Sequence, residues 1–231
     1  MRLLDESNPL SFPNPRESDA QGFLAVSRTL GTERLIEAYR SGIFPWMKMD
    51  FDPHFWCWFS PDPRMLLFPE EFKISRSLNK AIREERFEIK VDHDFRATIE
   101  SCASIKRRHE DSTWIESDMI EDYVQLHQRG IAHSVEAYQD GKLVGGLYGL
   151  SMGGLFFGES MFHRVPEASK ACLEKLVRIA TKLQFDFIDC QVHNPHLESI
   201  GAREIERSRF LDMLEKGLAV DKQPVDWKKE T

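Results

Sequence analysis

Three strand patterns follow one another through two tight turns, and a long amphipathic helix comes directly after them. The first two, residues 133–138 and 143–151, flank Asp140-Gly141, a pair that favours a two-residue hairpin turn. A glycine-rich turn then leads into a third strand, residues 155–162. Apolar residues recur every three or four positions through residues 166–183, which predicts a helix with one buried face. This order predicts an antiparallel sheet with a helix packed on it.

A largely apolar strand, residues 185–192, follows that helix. Upstream, residues 86–91 alternate as a strand, and residues 94–104 and 118–129 have helical spacing. The whole order resembles the fold of the N-acetyltransferase (GNAT) superfamily, in which an antiparallel meander, a long helix and a parallel strand build an α/β layer sandwich. We therefore expect an α+β protein in which residues 86–231 form an acetyltransferase-like catalytic domain.

One departure from that fold lies at the start of the long helix. Acetyltransferases bind the coenzyme A pyrophosphate there, on the free backbone N–H groups of a glycine-rich turn. The corresponding residues 163–170 read HRVPEASK and contain no glycine, while Pro166 has no N–H and Glu167 would repel a phosphate. We therefore expect the fold to be kept while the acyl donor is a different compound.

The first 85 residues have a different character. Residues 42–64 contain three Trp, four Phe and four Pro, and prolines at this density disfavour a helix or a central strand. This segment is predicted to be an ordered aromatic loop region. One helix precedes it, beginning with Thr32 as N-cap and ending before Gly42. Residues 1–85 are thus predicted to form a smaller, loop-rich N-terminal domain.

The composition indicates which cellular compartment and which cofactors to expect. The four cysteines are scattered without a C-x-x-C pair, which argues against a zinc ribbon or a disulfide framework and favours a reducing compartment. We expect no secretory signal and no membrane span, because the apolar runs are too short for either. The histidines do not show the spacing of metal ligands. The sequence therefore predicts a cytoplasmic protein without membrane association, metal or other cofactor.

The charge is acidic overall and locally basic. The formal net charge is −7, which disfavours indiscriminate binding to polyanions. Residues 73–109 nevertheless contain ten Lys and Arg against six Asp and Glu. This stretch is either a solvated surface of mixed charge or a contact surface for a specific anionic partner.

Polar side chains interrupt two strands that are otherwise apolar. Glu159 lies within the third strand, and Asp189 and Gln191 lie within the strand after the long helix. Strand alternation predicts that Asp189 and Gln191 share one face and that Cys190 lies on the other. Because buried polar groups need partners, this set is either a structural hydrogen-bond network or a substrate site between the strands. A glycosidase-like pair of carboxylates, Glu159 and Asp189, is a weaker alternative.

Two tryptophans have neighbours that are unusual for core residues. Trp46 follows Phe44-Pro45, and Trp114 lies a few residues beyond the basic run 106–109. An aromatic cluster is more often part of a core than a ligand platform. An indole beside basic residues also fits a stacking platform next to phosphate contacts.

Longer motifs make one resemblance specific. The chain resembles the leucyl/phenylalanyl-tRNA–protein transferase family over residues 38–206, which is most of its length. The matching segments occur in the same order as in the family and are AYRSGIFPW (38–46), WFSPDPR (58–64), ISRS (74–77), STWI (112–115), GLYG (146–149), GESMF (158–162), ASKACL (168–173) and IDCQV (188–192).

The resemblance implies an aminoacyltransferase of the N-end rule pathway. Such an enzyme moves Leu or Phe, and less readily Met, from the 3′ end of an aminoacyl-tRNA to the α-amino group of proteins that begin with Arg or Lys. The new peptide bond marks these proteins for degradation. Because the ester donor is already activated, no ATP, metal or coenzyme A is required. A coenzyme A-dependent N-acetyltransferase and a non-catalytic RNA- or peptide-binding module remain as alternatives.

The resemblance also implies roles for single residues. Asp189 and Gln191 are expected to be catalytic. Gln191 is expected to contact the attacking amine, and Asp189 is expected to orient the Gln191 side chain. Glu159 is expected to contact the donor or the acceptor, and Trp46 and Trp114 are expected to flank the terminal adenosine. The expected pocket for the donor side chain consists of Leu147, Met161, Leu176, Ala180 and Ile188. The expected contacts to tRNA phosphates are Arg76, Lys80, Arg83, Lys106, Arg107 and Arg108.

Overall fold

The computed structural model describes residues 2–49, 52–105, 115–220 and 227–230, and it confirms the α+β class. The strands in these ranges are β1 (Phe23–Ser27), β2 (Phe44–Met49), β3 (Asp52–Phe59), β4 (Arg64–Leu67), β5 (Glu88–Val91), β6 (Ala132–Gln139), β7 (Lys142–Met152), β8 (Leu155–His163), β9 (Phe187–Gln191) and β10 (Arg203–Ile205). The α-helices are α1 (Thr32–Arg40), α2 (Arg76–Arg83), α3 (Phe95–Ser104), α4 (Ser117–Gln128), α5 (Ala168–Lys182), α6 (Pro195–Ser199) and α7 (Arg207–Leu218).

A small antiparallel sheet replaces the aromatic loop region predicted for residues 42–64. Its strand order is β1-β3-β2, so the prediction is wrong for β2 and for β3, which is the central strand. Pro45 lies in β2, which is an edge strand of this sheet, and Pro53 is the second residue of β3. Both positions tolerate the missing N–H of proline. The indoles of Trp56 and Trp58 on β3 are fully buried and belong to the core.

The second sheet has the order β10-β4-β9-β8-β7-β6-β5. Strands β5 to β8 are paired antiparallel, and β9 joins β8 in parallel after the crossover helix α5, which confirms the predicted meander. Asp140 and Gly141 have φ values of 51° and 70°, and a two-residue hairpin turn of this type requires positive φ at both positions. The topology is that of the acetyltransferase-like layer sandwich expected from the sequence.

Two strands extend this sheet beyond β9. Strand β4 pairs antiparallel with β9 on one side and with β10 on the other. The four residues of β4 lie within the first 85 residues, so the larger sheet includes a strand from each side of the predicted domain boundary. The division into domains at residue 85 stays a prediction.

Helices cover both faces of the larger sheet. On one face, α5 packs through Leu173 and Leu176 into a core that includes Val135 of β6 and Phe156 of β8. On the other face, α1, α3, α4 and α7 form a second core together with the small sheet. This arrangement buries β8 and β9 from both sides, and the polar residues on these strands therefore lie deep in the molecule.

Candidate active site

A cavity of about 730 Å³ opens where strands β8 and β9 stop pairing. The paired residues run from Leu155 and Phe187 to Phe157 and Asp189, whereas β8 continues to His163. The residues that line the cavity come mainly from β8, β9, α5 and the loops around them. They are Trp46, Leu147, Tyr148, Phe156, Gly158, Glu159, Ser160, Met161, His163, Pro166, Glu167, Ser169, Lys170, Leu173, Leu176, Ile188, Cys190, Gln191, Val192, Asn194, His196 and Leu197.

Glu159 is the centre of a buried hydrogen-bond network at the inner end of this cavity. Its Oε1 accepts from the hydroxyl of Tyr39 at 2.5 Å and from Nε2 of Gln191 at 2.6 Å. Its Oε2 lies 3.0 Å from the hydroxyl oxygen of Tyr123, and the two tyrosine hydroxyl oxygens are 2.6 Å apart. The structure thus joins α1, α4, β8 and β9 through one carboxyl group.

Burial determines the protonation of this network. It raises the pKa of Glu159 to about 7, and the Asp189 charge adds to the rise, while the hydrogen bonds from Tyr39, Tyr123 and Gln191 oppose it. Burial also raises the pKa of both tyrosines well above the usual value. The two phenolic hydroxyls therefore keep their protons at neutral pH, whereas the carboxyl of Glu159 titrates near it.

Asp189 forms an ion pair that is fully buried. Nε of Arg64 donates to Oδ1 at 2.9 Å and Nη2 donates to Oδ2 at 2.7 Å, and the two side chains are 1% and 0% exposed. The guanidinium carbon lies 4.7 Å from the ring centroid of Phe44 and 4.6 Å from that of Phe210. Nη1 donates to the carbonyl of Gly42 at 3.2 Å. Asp189 is satisfied by Arg64 and is not among the residues that line the cavity.

Gln191 lines the cavity, and its backbone departs from the strand conformation. Its φ of +66° is in the left-handed region, which few non-glycine residues adopt. The contacts agree with the expected faces: the partners of Asp189 and Gln191 lie on the side of the core that contains α1 and α4, whereas Cys190 packs against the core that contains α5. Cys190 and Gln191 line the cavity and Asp189 does not. The carboxylate of Asp189 holds the turn, since Oδ1 accepts from the backbone N–H of Gln191 at 2.9 Å.

The residues expected around the donor side chain are mostly together. Leu147, Met161, Leu176 and Ile188 line the cavity and form an apolar wall beside the Glu159 network. Ala180 is fully buried and is not among the lining residues, because it packs within the core between α5 and the sheet. Four of the five side chains thus lie together in one cavity, and their role at the donor stays a prediction.

Only some of the residues expected to contact the terminal adenosine and the tRNA phosphates lie within the described ranges. Trp46 is half-buried, lines the cavity and packs edge-on against Phe59, with the ring centroids 5.3 Å apart. Trp114, Lys106, Arg107 and Arg108 lie outside the described residues. Arg76, Lys80 and Arg83 are all exposed on α2. None of these three lines the cavity, so any contact they make is with a ligand that extends beyond it.

Sequence reasoning missed three residues that hold the site together. Tyr39, Arg64 and Tyr123 supply the partners of Glu159 and Asp189. Arg64 carried a signal, because it begins a strand whose other residues are Met and Leu and a cation in such a strand needs a buried partner. Tyr39 and Tyr123 lie on amphipathic helices, where a buried tyrosine is ordinary, and their sequence positions give no comparable signal.

Charged groups of both signs line the cavity near the start of α5. Lys170 contacts the two carboxylate oxygens of Glu167 at 3.1 Å and 3.2 Å. Burial lowers the pKa of His196, and the nearby Lys170 and His163 lower it further. The imidazole of His196 is therefore neutral at pH 7, and the charges of Lys170 and Glu167 offset each other.

A separate cluster brings together Asp92, His127 and His133, with one ligand atom of each within 4.8 Å of the others. Three of the four ring nitrogens of His127 and His133 contact oxygen atoms of the protein. Nδ1 of His133 contacts Asp92 at 2.7 Å and Nε2 contacts the carbonyl of Gly130 at 3.1 Å, while Nδ1 of His127 contacts the carbonyl of Ala132 at 2.8 Å. Since both nitrogens of His133 are engaged, this cluster is a structural network that joins the loop before β6 to β5.

The chain matches one family along most of its length. A model described as leucyl/phenylalanyl-tRNA protein transferase matches residues 66–215, and the model of the N-terminal domain of the same family matches residues 28–62. The leucyl/phenylalanyl-tRNA–protein transferase of Desulfatibacillum aliphaticivorans is 48% identical over 212 residues, or 92% of this chain and 90% of that protein. The protein of the same name from Azotobacter vinelandii is 50% identical over 211 residues, or 90% of this chain and 92% of that protein.

Similar solved structures have low sequence identity. A GCN5-related N-acetyltransferase-like protein from Streptococcus suis is 14% identical with a TM-score of 0.37, covering 79% of this chain and 68% of that one. The structure of L-PGS from Bacillus licheniformis is 11% identical with a TM-score of 0.39, covering 75% of this chain and 55% of that one. Of the helices in the described residues, none has the length and apolar character to cross a membrane.

Proposed function

The chain belongs to the leucyl/phenylalanyl-tRNA–protein transferase family, and on that premise we propose that it transfers Leu or Phe, and less readily Met, to proteins that begin with Arg or Lys. It is an aminoacyltransferase whose donor is an aminoacyl-tRNA and whose acceptor is a protein. The product carries a new N-terminal residue that marks it for degradation by the N-end rule pathway. We propose the cytoplasm as the compartment, where charged tRNA is found.

The observation that carries this proposal is the cavity between β8 and β9, which has an apolar wall and one polar inner end. Leu147, Met161 and Ile188 supply a surface for the donor side chain, and Glu159 and Gln191 supply the polar groups beside it. A methionine adapts to both Leu and Phe, because its unbranched side chain has three rotatable bonds. An apolar amino acid joined to a polar ester fits this division of the cavity.

The reaction is the attack of an amine on an ester. The acceptor amine, once neutral, forms a C–N bond to the carbonyl carbon, and the C–O bond to the tRNA ribose breaks. The ribose oxygen leaves as a hydroxyl after it has taken a proton that the amine gives up. Holding two reactants in line can lower a barrier by up to about 7–11 kcal/mol, so we expect positioning to supply much of the catalysis.

Gln191 is the residue proposed to contact the amine. Its Nε2 donates to Glu159, so its Oε1 is the end of the amide that accepts from an N–H in the cavity. A neutral amide is a very weak base, and Gln191 therefore orients the amine and does not deprotonate it. Asp189 acts as a positioning residue, because it fixes the backbone of Gln191 and lies outside the cavity.

The rest of the donor would extend out of the cavity. Trp46 lines it and offers a ring face or edge to the terminal adenosine, and Trp114 is proposed for the same base. The phosphates would reach the exposed cations of α2, Arg76, Lys80 and Arg83, and those proposed at Lys106, Arg107 and Arg108. Phosphate contacts carry no base information, so the aminoacyl end selects the donor.

The direct experiment mixes the protein with Leu-tRNA and a peptide that begins with Arg, followed by mass spectrometry. We expect addition of one Leu to the α-amino group, and no addition to the same peptide with an acetylated N-terminus. Calorimetric titration with acetyl-coenzyme A tests the acetyltransferase alternative, and we expect no binding. Binding of tRNA without any peptide product would instead favour the non-catalytic module and would contradict the proposal.

A further inference from the structure

Three buried oxygen contacts form a closed ring around the carboxyl of Glu159. They join the Tyr39 hydroxyl to Oε1 at 2.5 Å, the Tyr39 hydroxyl to the Tyr123 hydroxyl at 2.6 Å, and the Tyr123 hydroxyl to Oε2 at 3.0 Å. Both tyrosines are fully buried, and Glu159 is 8% exposed. Each of these separations is a hydrogen-bond distance, and each therefore needs one proton between its two oxygens.

The number of available protons depends on the charge of Glu159. Each tyrosine supplies one proton. If the carboxylate is ionised, two protons serve three contacts, and in one contact the two oxygens have no proton between them. A protonated carboxyl supplies the third. In that state Oε2 donates to Tyr123, Tyr123 donates to Tyr39, and Tyr39 donates to Oε1. Oε1 then accepts from Tyr39 and Gln191, which matches the two lone pairs of a carbonyl oxygen.

We propose that Glu159 works as a neutral carboxylic acid, closed into a three-proton ring with Tyr39 and Tyr123, and that this ring positions the amide of Gln191. That the ring positions Gln191 for catalysis rests on the proposed function, in which Gln191 contacts the acceptor amine. Tyr39, Tyr123 and Glu159 are positioning residues in this account, because they act on the amine through Gln191.

The surroundings of Glu159 support the neutral form. Burial raises the pKa of this carboxyl to about 7. The groups that face the ring are the Tyr39 hydroxyl from α1, the Tyr123 hydroxyl from α4, Tyr148 from β7, and Gln191 and Asp189 from β9. The charge of Asp189 opposes a second negative charge nearby, and its own counter-ion, Arg64, is already engaged by both carboxylate oxygens.

A neutral carboxyl has a consequence for the acceptor. A carboxylate behind Gln191 would stabilise the ammonium form of an incoming amine, and an ammonium has no lone pair with which to attack an ester. The protonated ring gives Gln191 a hydrogen-bond partner without placing that charge next to the amine. Transfer therefore requires the protonated carboxyl and falls as pH rises through about 7, where Glu159 ionises.

Infrared difference spectra of the intact protein test the protonation state without any substrate. We expect the carbonyl stretching band of a protonated carboxyl in the wild-type protein below neutral pH, its loss as pH is raised, and its absence from Glu159→Gln at every pH. A Glu174→Gln variant is the control, because Glu174 lies outside the cavity and is paired with Arg178. Tyr123→Phe should shift the band, because the carboxyl proton loses its acceptor. A spectrum that shows only ionised carboxylate at Glu159 near pH 6 would overturn the proposal.

The transfer assay gives a second, independent readout. We compare kcat/KM of the wild-type protein with that of Glu159→Gln across pH, because the ratio removes the titration of the acceptor amine. The ratio should fall about fivefold between pH 7 and pH 8 as the carboxyl, whose pKa is about 7, ionises. A ratio that stays constant or rises with pH would overturn the proposal. A wild-type protein without transfer activity would defeat the proposed function instead, while the infrared spectra would still report the ring.

Discussion

At the scale of single residues, the most consequential contact outside the cavity is the ion pair of Asp189 and Arg64. Both side chains are buried, and the pair is bidentate and flanked by two aromatic rings. Breaking a buried pair by removing one partner leaves the other charge uncompensated, and such changes cost about 3–5 kcal/mol. The same carboxylate holds the backbone of Gln191, so we expect stability and activity to be linked at Asp189.

Asp189→Ala should therefore lower the free energy of unfolding by about 3–5 kcal/mol, because Arg64 loses its only described carboxylate partner. Chemical denaturation followed by tryptophan fluorescence measures this. Asp186→Ala is the matched control, since Asp186 is exposed and should change the stability by less than about 0.5 kcal/mol. Equal stability of the two variants would contradict the structural role, and any loss of transfer in Asp189→Ala has to be normalised to the folded fraction.

The polar residues of the site are visible in the sequence, but their partners are not. Glu159, Asp189 and Gln191 are conspicuous because each interrupts an apolar strand. Their partners Tyr39 and Arg64 lie 120 and 125 positions away along the chain. A contact over such a separation leaves no local periodicity, so only the fold identifies it. The left-handed backbone of Gln191 was equally hidden, because no glycine or turn motif announces it.

At the scale of elements, local sequence patterns predicted some helices and strands correctly and others wrongly. The turn at Asp140-Gly141 and the spacing of the long helix gave β6, β7 and α5, since both depend on neighbouring residues. Strands β2 and β3 were missed because proline disfavours strands in general but not at sheet edges and strand starts. Whether a strand lies at an edge depends on how the strands pair in the sheet, and the sequence of one segment does not show that pairing.

Helix α2 is the element best suited to contact tRNA phosphates among the described residues. Leu78 and Ala81 are buried on one side of the helix. Ser75 caps it, because its Oγ accepts from the backbone N–H of Leu78 at 3.1 Å. Arg76, Lys80 and Arg83 remain exposed. A short, capped helix with an anchored apolar side can present these cations at fixed positions.

Reversing Arg76, Lys80 and Arg83 to Glu should raise KM for aminoacyl-tRNA and leave KM for a minimal aminoacyl-adenosine donor unchanged. Each lost phosphate contact should also reduce the slope of log affinity against log salt by about 0.7–0.9. Steady-state kinetics at several salt concentrations give both quantities. The control reverses Arg209 and Lys216, two exposed cations of α7. The prediction fails if both sets of reversals act alike, or if the minimal donor is affected equally.

At the scale of the whole molecule, the larger sheet draws its strands from distant parts of the chain. Strand β4 comes from residues 64–67, lies between β9 and β10, and supplies Arg64 to Asp189. Trp227, near the other end of the chain, stacks on His133 at 4.3 Å and is 3% exposed. The larger sheet is thus completed by a segment that precedes the predicted boundary at residue 85.

A fragment of residues 86–231 should not fold as the full chain does. It lacks β4, so β9 and β10 lose the strand that joins them and Asp189 loses Arg64. We expect no cooperative unfolding transition in the fragment, whereas the full chain should show one by circular dichroism. A cooperative transition in the isolated fragment, close to that of the full chain, would support an independent domain and contradict this account.

The central claim is that transfer takes place in the cavity between β8 and β9, with Gln191 at the acceptor amine. The measurement is the rate of Phe transfer from Phe-tRNA to a peptide that begins with Arg, for the wild-type protein, Gln191→Ala and Gln184→Ala. Gln184 is the matched control, because it is exposed, lies outside the cavity lining and also has a positive φ of 54°. Loss of a well-positioned contact corresponds to roughly tenfold or more in rate, which we expect for Gln191→Ala with its fold intact. Equal rates for both variants would place the reaction elsewhere on the molecule.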